Sequence, residues 1–196
     1  SATVVAYSFA RLRWPGRDSI FLITLGTMML PAEVTLIPKY LIFREFGWVN
    51  DLKSLWVPSY LGGGAFDIFL LRQFIQTIPR DLDEAALIDG AGYLKILTTV
   101  IVPLTKPAIA TVTVIHFVWK WSEFMQPMIF LSSTDKLTVA VGLRFFEQWG
   151  GAVGQSVPQD HYLMAACVMS SVPVLLLFFF TQRFFVQGIV MTGLKG

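Results

Sequence analysis

Charge is what this chain has least of. Asp, Glu, Lys and Arg make up 14% of its 196 residues, where a soluble globular domain carries roughly 25%. A soluble fold this poor in charge could not cover its own surface. That excludes a soluble enzyme, a disordered protein and a nucleic-acid binder. The net charge is only +2, and the sequence holds no basic patch to grip the phosphates of a nucleic acid. Cys167 is the one cysteine, so neither an internal disulfide nor a multi-cysteine metal site is available. His116 and His161 are too distant in sequence to suggest a metal pair, and no H-E-x-x-H occurs. There is no G-x-x-x-x-G-K-S/T phosphate loop and no G-x-S-x-G nucleophile elbow. The chain on its own is therefore read as a non-enzyme that cannot hydrolyse ATP by phosphate-loop machinery. It has no internal repeat, and no charged leader with a cleavage site precedes the first span. The sequence reads as starting inside a longer chain.

What is abundant suits a bilayer: 55% hydrophobic residues, with 17 Phe and 6 Trp, and a mean hydropathy of +0.63. A spanning helix needs about 20 mostly apolar residues. Four stretches qualify: Ser19 to Pro38, Leu52 to Leu71, Ala108 to Leu131 and Tyr162 to Thr181. TVVAYSFA, ahead of them, reads as the last turns of a further helix. Pro31, Pro58, Gly62-Gly63-Gly64 and Pro173 are expected to bend their spans or let them pack closely.

Grouping the connecting segments alternately gives nine basic residues on one side: Arg11, Arg13, Arg17, Arg72, Arg80, Lys95, Lys106, Arg183 and Lys195. The other side has five: Lys39, Arg44, Lys53, Lys136 and Arg144. The richer side is expected to face the cytoplasm. The RLRWPGR turn, residues 72–107 and the C-terminal tail then point inward. The loops near 39–53 and 132–161 point outward, with Trp48, Trp56 and Trp149 at the outer interface. The glycine-rich loop 132–161 suits a partner surface and a solvated connector equally.

Ionisable residues inside spans are costly and mark candidate function. Asp67, Glu33, Lys120 and Glu123 qualify. Lys120 and Glu123, three apart, fit a helical ion pair as well as a translocation path. Trp119 and Trp121 suit stacking on sugar rings and plain packing alike. Asp67, Trp121 and Glu123 are the candidate substrate-path residues.

Residues 78–107 are too polar to span and too regular for a loop. Asp81 followed by Glu84 fits a capping box. A short helix over Leu82 to Ile88 is expected to stop at Gly90, which tolerates a left-handed backbone. A second helix, Tyr93 to Ile101, should end at Pro103. Two short helices with a sharp elbow make a cytoplasmic knob.

Glu84-Ala85-Ala86, Asp89-Gly90-Ala91 and Pro103, with glycine six and proline nineteen residues after the glutamate, resemble the EAA motif of ABC importer permease subunits. AYSFARLRWPGRD, FLLRQFIQTIPRDLDEAA, FVWKWSEF and the C-terminal MTGLKG resemble the carbohydrate-uptake class, and the chain is similar to the smaller permease subunit of maltose-type importers. Leu97, Val100, Val102 and Ser122 depart from the usual pattern. The resemblance implies an all-α, polytopic integral membrane protein of the type I ABC importer kind. In it residues 1–196 form a single transmembrane domain of a six-helix permease, with about one and a half spans preceding Ser1. It also implies that residues 78–107 couple to an ATPase through Glu84, Ala85, Ala86, Asp89, Gly90, Ala91 and Pro103, Glu84 facing a basic group. The implied partners are two ABC ATPase subunits that use ATP and Mg, a homologous second permease subunit, an extracellular solute-binding protein, a sugar and membrane lipid. This chain would carry no cofactor of its own. The rival functions are a permease for glycerol phosphate or another organic solute, an ion-coupled secondary transporter using the intramembrane carboxylates, and a membrane-embedded enzyme.

Overall fold

The computed structural model describes residues 1–152 and 160–192, with side chains described for 1–145 and 161–182. Among these, regular structure is helical and no strand occurs. The helices are α1 (Ala2–Arg11), α2 (Arg17–Gly26), α3 (Ala32–Glu45), α4 (Lys53–Tyr60), α5 (Ala65–Thr77), α6 (Asp81–Ile88), α7 (Tyr93–Ile96), α8 (Val102–Leu104), α9 (Lys106–Ser122), α10 (Met125–Phe130), α11 (Val139–Ala152) and α12 (Asp160–Thr192). The Trp149 side chain, the loop residues Gly154 and Pro158, and the tail beyond Thr192 lie outside the described residues.

The four expected spans are largely helical, but three of them are interrupted, and Leu52 to Leu71 does not qualify as a span even as a bent pair. Among the described residues only His161–Gln182, within α12, is a single helix long and apolar enough to cross a membrane, with mean hydropathy 2.4. It runs on through Pro173. The stretch Ser19 to Pro38 is not one helix. α2 passes into a 3₁₀ turn, Thr27–Met29, and the backbone at Leu30 is extended (ψ 121°). Pro31 causes this, because its ring disfavours the helical conformation in the residue before it. α3 then continues past Pro38 to Glu45. The stretch Leu52 to Leu71 is likewise two helices. Gly62 and Gly63 take φ of 96° and 76°, which no helix accommodates. The stretch Ala108 to Leu131 starts at Lys106, stops at Ser122 and resumes as α10. Two helix pairs, Arg17–Met29 with Ala32–Glu45 and Tyr93–Leu104 with Lys106–Ser122, reach spanning length only when each is taken as one broken span.

The chain forms two compact units. The first includes Ser1–Thr35 and Val57–Thr113. Its core is α1 against α5: Ala6, Tyr7, Phe9 and Ala10 meet Ile68, Leu71 and Ile75, with Ile96, Leu97, Ile101 and Ala108 completing it. Ile68, Leu71 and Ile75 recur at helical spacing and so fall on one face. Ala6 and Ala10 let the two backbones come close. Where the α4–α5 break meets the start of α1, a Cβ built on Gly63 would lie 2.6 Å from the Ala2 Cβ. Both the positive φ and the missing side chain are needed there.

The second unit includes the described residues of Leu36–Trp56 and Val114–Gln182. Phe130 is fully buried, edge-on to Phe43 at 5.2 Å and stacked on Tyr40 at 6.3 Å. Beside it, Asn50 fastens two loops. Its N–H donates to the Phe130 carbonyl at 2.7 Å. Its side-chain Oδ1 accepts from the N–H groups of Ser132 and Ser133 at 3.2 and 3.0 Å. Lys136 Nζ donates to its carbonyl at 2.7 Å. Asn50 holds φ 60°, a conformation that asparagine tolerates better than most residues.

Candidate functional site

The two-helix knob expected at 78–107 is present as α6 and α7. Its elbow follows from one residue. Gly90 takes φ 78°, its N–H donates to the Leu87 carbonyl at 3.0 Å, and the Ala91 N–H donates to the Ala86 carbonyl at 2.9 Å. This pair of bonds is a Schellman motif, which satisfies the last carbonyls of α6 and turns the chain. Gly92 then opens α7 in extended conformation.

The N-terminal end of α6 differs from expectation. The residue capping it is Arg80, already helical, and no side chain caps the helix. Asp81 stands inside the first turn, so it cannot act as the acceptor of a capping box. Asp81, Asp83 and Glu84 all lie in that turn, where their negative charges oppose the positive end of the helix dipole.

The second helix also departs from expectation, since it does not end at Pro103. After α7 the backbone widens into a π turn, Leu97–Ile101, and α8 carries Pro103 as its second residue. A proline lacks an N–H and crowds the carbonyl four residues back. The wider i→i+5 turn ahead of it relieves both problems. The helical path ends at Thr105, whose hydroxyl is fully buried and donates to the Ile101 carbonyl at 2.8 Å.

The knob is anchored on one side and bare on the other. Ile96, Leu97 and Ile101 are in the core, with Ala86 and Ala91 packed against it. Glu84, Ala85, Asp89 and Gly90 are exposed, and so are Ile88 (86%) and Leu94 (76%). Two large aliphatic side chains that bare, flanking an elbow, suit a surface that a partner covers.

One contact that holds the knob was not visible in the sequence. Arg11, the last residue of α1, places Nε 3.1 Å from Asp83 Oδ2, and the side chains are only 5% and 14% exposed. The same guanidinium donates from Nη2 to the Ile78 carbonyl at 2.7 Å. Arg11 thus holds both the start of α6 and the strand of chain leading into it.

The three substrate-path candidates are divided between the two units. Asp67 is buried in the first turn of α5, in the first unit, and its Oδ2 accepts from the Gly64 N–H at 3.4 Å. Trp121 and Glu123 belong to the second unit. The Trp121 indole N–H donates to the Ser170 carbonyl at 2.9 Å, and its ring stacks on Phe117 at 5.5 Å. Trp121 borders a cavity of about 820 Å3 together with Leu143, Cys167 and Ser171. Glu123 Oε2 lies 2.7 Å from Lys120 Nζ, and both line a smaller recess with His116 and Trp119. Among the described residues no three His, Cys, Asp or Glu side chains converge as metal ligands.

Compared with known proteins, residues 2–191 match the family described as binding-protein-dependent transport system inner membrane component. The chain is 37% identical over 196 residues to the osmoprotective compounds uptake permease protein GgtD of Synechocystis sp., covering 99% of this chain and 63% of that one. It is 34% identical over 187 residues to the sn-glycerol-3-phosphate transport system permease protein UgpE of Brucella abortus, covering 95% of this chain and 64% of that one. It is 33% identical over 196 residues to the trehalose/maltose transport system permease protein MalG of Thermococcus litoralis, covering 100% and 68%. A crystal structure of a bacterial ABC transporter involved in the import of the acidic polysaccharide alginate superposes with a TM-score of 0.77 at 28% identity, over 94% of this chain and 69% of that one. The chain spans 63% and 64% of the length of the first two relatives.

Proposed function

The chain belongs to the family of binding-protein-dependent transport system inner membrane components, and from that premise we propose that it is a multi-pass permease subunit of an ATP-driven carbohydrate importer. The observation that carries this reading is the bare elbow around Gly90, with Glu84, Ile88 and Leu94 exposed beside it. In this reading residues 78–107 dock on an ABC ATPase. Glu84, Ala85, Ala86, Asp89, Gly90 and Ala91 form the docking surface, and Pro103 with its π turn carries movement into α9. Two such ATPase subunits use ATP and Mg, a second permease subunit completes the path, and an extracellular solute-binding protein delivers the sugar.

The trehalose/maltose relative supports a sugar, and the glycerol phosphate relative supports a second reading, a phosphorylated polyol. Assembling the full-length permease with its ATPase and binding-protein partners in proteoliposomes tests both. Uptake of a maltodextrin that requires internal ATP is expected. ATP-dependent uptake of sn-glycerol 3-phosphate alone would favour the second reading. Uptake driven by a proton gradient without ATP would overturn both.

Within this reading Glu123 and Trp121 belong to the substrate path, while Asp67 caps α5. The Lys120–Glu123 pair is local, its members three residues apart, so losing it should not unfold the subunit. Glu123→Gln is expected to lower uptake severalfold while assembly with the ATPase persists. The double change Lys120→Met with Glu123→Met should not rescue uptake. Full rescue would reduce Glu123 to a structural partner of Lys120.

A further inference from the structure

No basic patch is visible along the sequence, but the fold assembles one. Arg13, from the turn after α1, Arg17, which opens α2, and Arg80, at the start of α6, line one recess of about 450 Å3 with Trp14, Asp18 and Ser19. The acid in this recess is already engaged. Asp18 accepts from Arg17 Nε at 2.9 Å and from Nη2 at 3.2 Å, and that hydrogen bonding holds its carboxyl below the usual carboxylate range. Arg17 is further occupied by the Leu12 carbonyl, at 3.2 Å. The Arg13 and Arg80 side chains have no hydrogen bond or ion pair among the described residues. Both guanidinium groups therefore face this polar recess, and they also border an adjoining one that holds Asp83 and Glu84.

α2, which Arg17 opens, exposes apolar surface at Ile20, Leu22 and Ile23. An inorganic anion would use the arginines and have no use for that face. A molecule with a phosphate at one end and hydrocarbon at the other would use both. Guanidinium groups suit phosphate oxygens because their N–H donors match them in a bidentate fork. The 11–17 turn is on the basic-rich side of the chain, which the proposed orientation puts at the cytoplasmic leaflet, where anionic lipids attract Lys and Arg.

We propose that the recess formed by Arg13, Arg17, Arg80 and Trp14 binds the phosphate headgroup of an anionic phospholipid, whose acyl chain lies along the exposed face of α2. The site adjoins the docking surface, sharing Arg80 with the 78–107 segment, and its membrane frame rests on the orientation given above. Bound there, the lipid joins the α1–α2 turn to the residue that opens α6.

The test uses the full-length permease in its assembled complex, in phosphatidylcholine nanodiscs doped with a photoreactive phosphatidylglycerol. After irradiation, label is expected on the segment spanning residues 13–23. Arg13→Gln and Arg80→Gln should each lower labelling about fivefold, as expected for one cation lost at an anionic surface, and Arg13→Lys should largely preserve it. Unlabelled phosphatidylglycerol in excess should displace the probe, and excess inorganic phosphate should not. Equal displacement by inorganic phosphate would make this a site for free phosphate and overturn the lipid assignment. Labelling elsewhere, or unchanged in Arg13→Gln, would overturn the site itself. Recovery of assembled complex checks folding; should Arg80→Gln fail to assemble, Arg13→Gln, at an exposed side chain, decides alone.

Discussion

Replacing Gly90 with valine is expected to lower ATP-coupled uptake sharply while leaving the subunit in the membrane. Gly90 has φ 78°, and a Cβ built there meets nothing within 4 Å. The penalty is therefore purely conformational. An L-residue in the left-handed region loses about 1–2 kcal/mol, and a β-branched one more. That strain falls on an eight-residue helix held at its C-terminal end by two hydrogen bonds, from Gly90 to Leu87 and from Ala91 to Ala86. Valine drives the elbow out of its left-handed conformation, both bonds are lost, and Ile88 and Leu94 no longer flank one surface. The core contacts of Ile96, Leu97 and Ile101 are untouched, so insertion and yield should stay within about twofold of wild type, the range of a surface change. Substrate-stimulated ATP hydrolysis and uptake, measured in proteoliposomes, should fall by about tenfold or more, as a coupling loss above 1.4 kcal/mol requires. Gly90→Asn, which tolerates positive φ, should retain most of the activity. Normal coupling in the valine variant would show that the elbow is not the docking element.

The elbow was legible in the sequence because the conformational freedom of glycine is a local property. The apolar stretches were legible for a similar reason, since hydropathy sums over neighbours. What a local reading misses is where a helix yields. Pro31 and the Gly62-Gly63-Gly64 run were readable as bends, but each turned out to be a full break. Leu30 is driven to an extended backbone, and Gly63 is pressed against Ala2. Pro103 was readable as a stop, yet a π turn absorbs it and the helix continues for one more residue. The capping box at Asp81 failed because the pattern is satisfied by any acceptor three residues before a glutamate, whereas the backbone at Arg80 is already helical.

Long-range pairs leave no trace in spacing. Nothing in the turn containing Arg11 announces Asp83, and nothing near Asn50 announces Ser133, because each pair forms only once tertiary packing brings distant segments together. The same holds for the arginine recess, whose members come from two separate segments. Trp121 shows the converse. Its residue type suits sugar stacking, but the fold commits its indole N–H to Ser170 and its ring to Phe117.

Arg11 carries the other large expected effect. Its guanidinium is almost completely buried, paired with Asp83 at 3.1 Å and bonded to the Ile78 carbonyl at 2.7 Å. Removing one partner of a buried pair strands the other charge, at a cost of about 3–5 kcal/mol. Arg11→Met is therefore expected to lower the melting temperature of the purified complex by several degrees and to reduce its yield. Burying two apolar side chains in place of the pair is often neutral. The double variant Arg11→Met with Asp83→Leu should accordingly recover much of that stability, short of the roughly 2 kcal/mol for the lost charged bond to Ile78. Coupling is expected to behave differently. The pair ties the first turn of α6 to the end of α1, and an apolar contact in its place fixes distance without fixing direction. The double variant should assemble and hydrolyse ATP, yet import less substrate per ATP than wild type. Melting temperature and the uptake-to-hydrolysis ratio, measured on the same preparations, separate the two roles. A double variant as unstable as Arg11→Met alone would mean that Asp83 is not the charge stranded by the loss of Arg11. A double variant with a wild-type ratio would make the pair a stabilising contact with no part in aiming the knob.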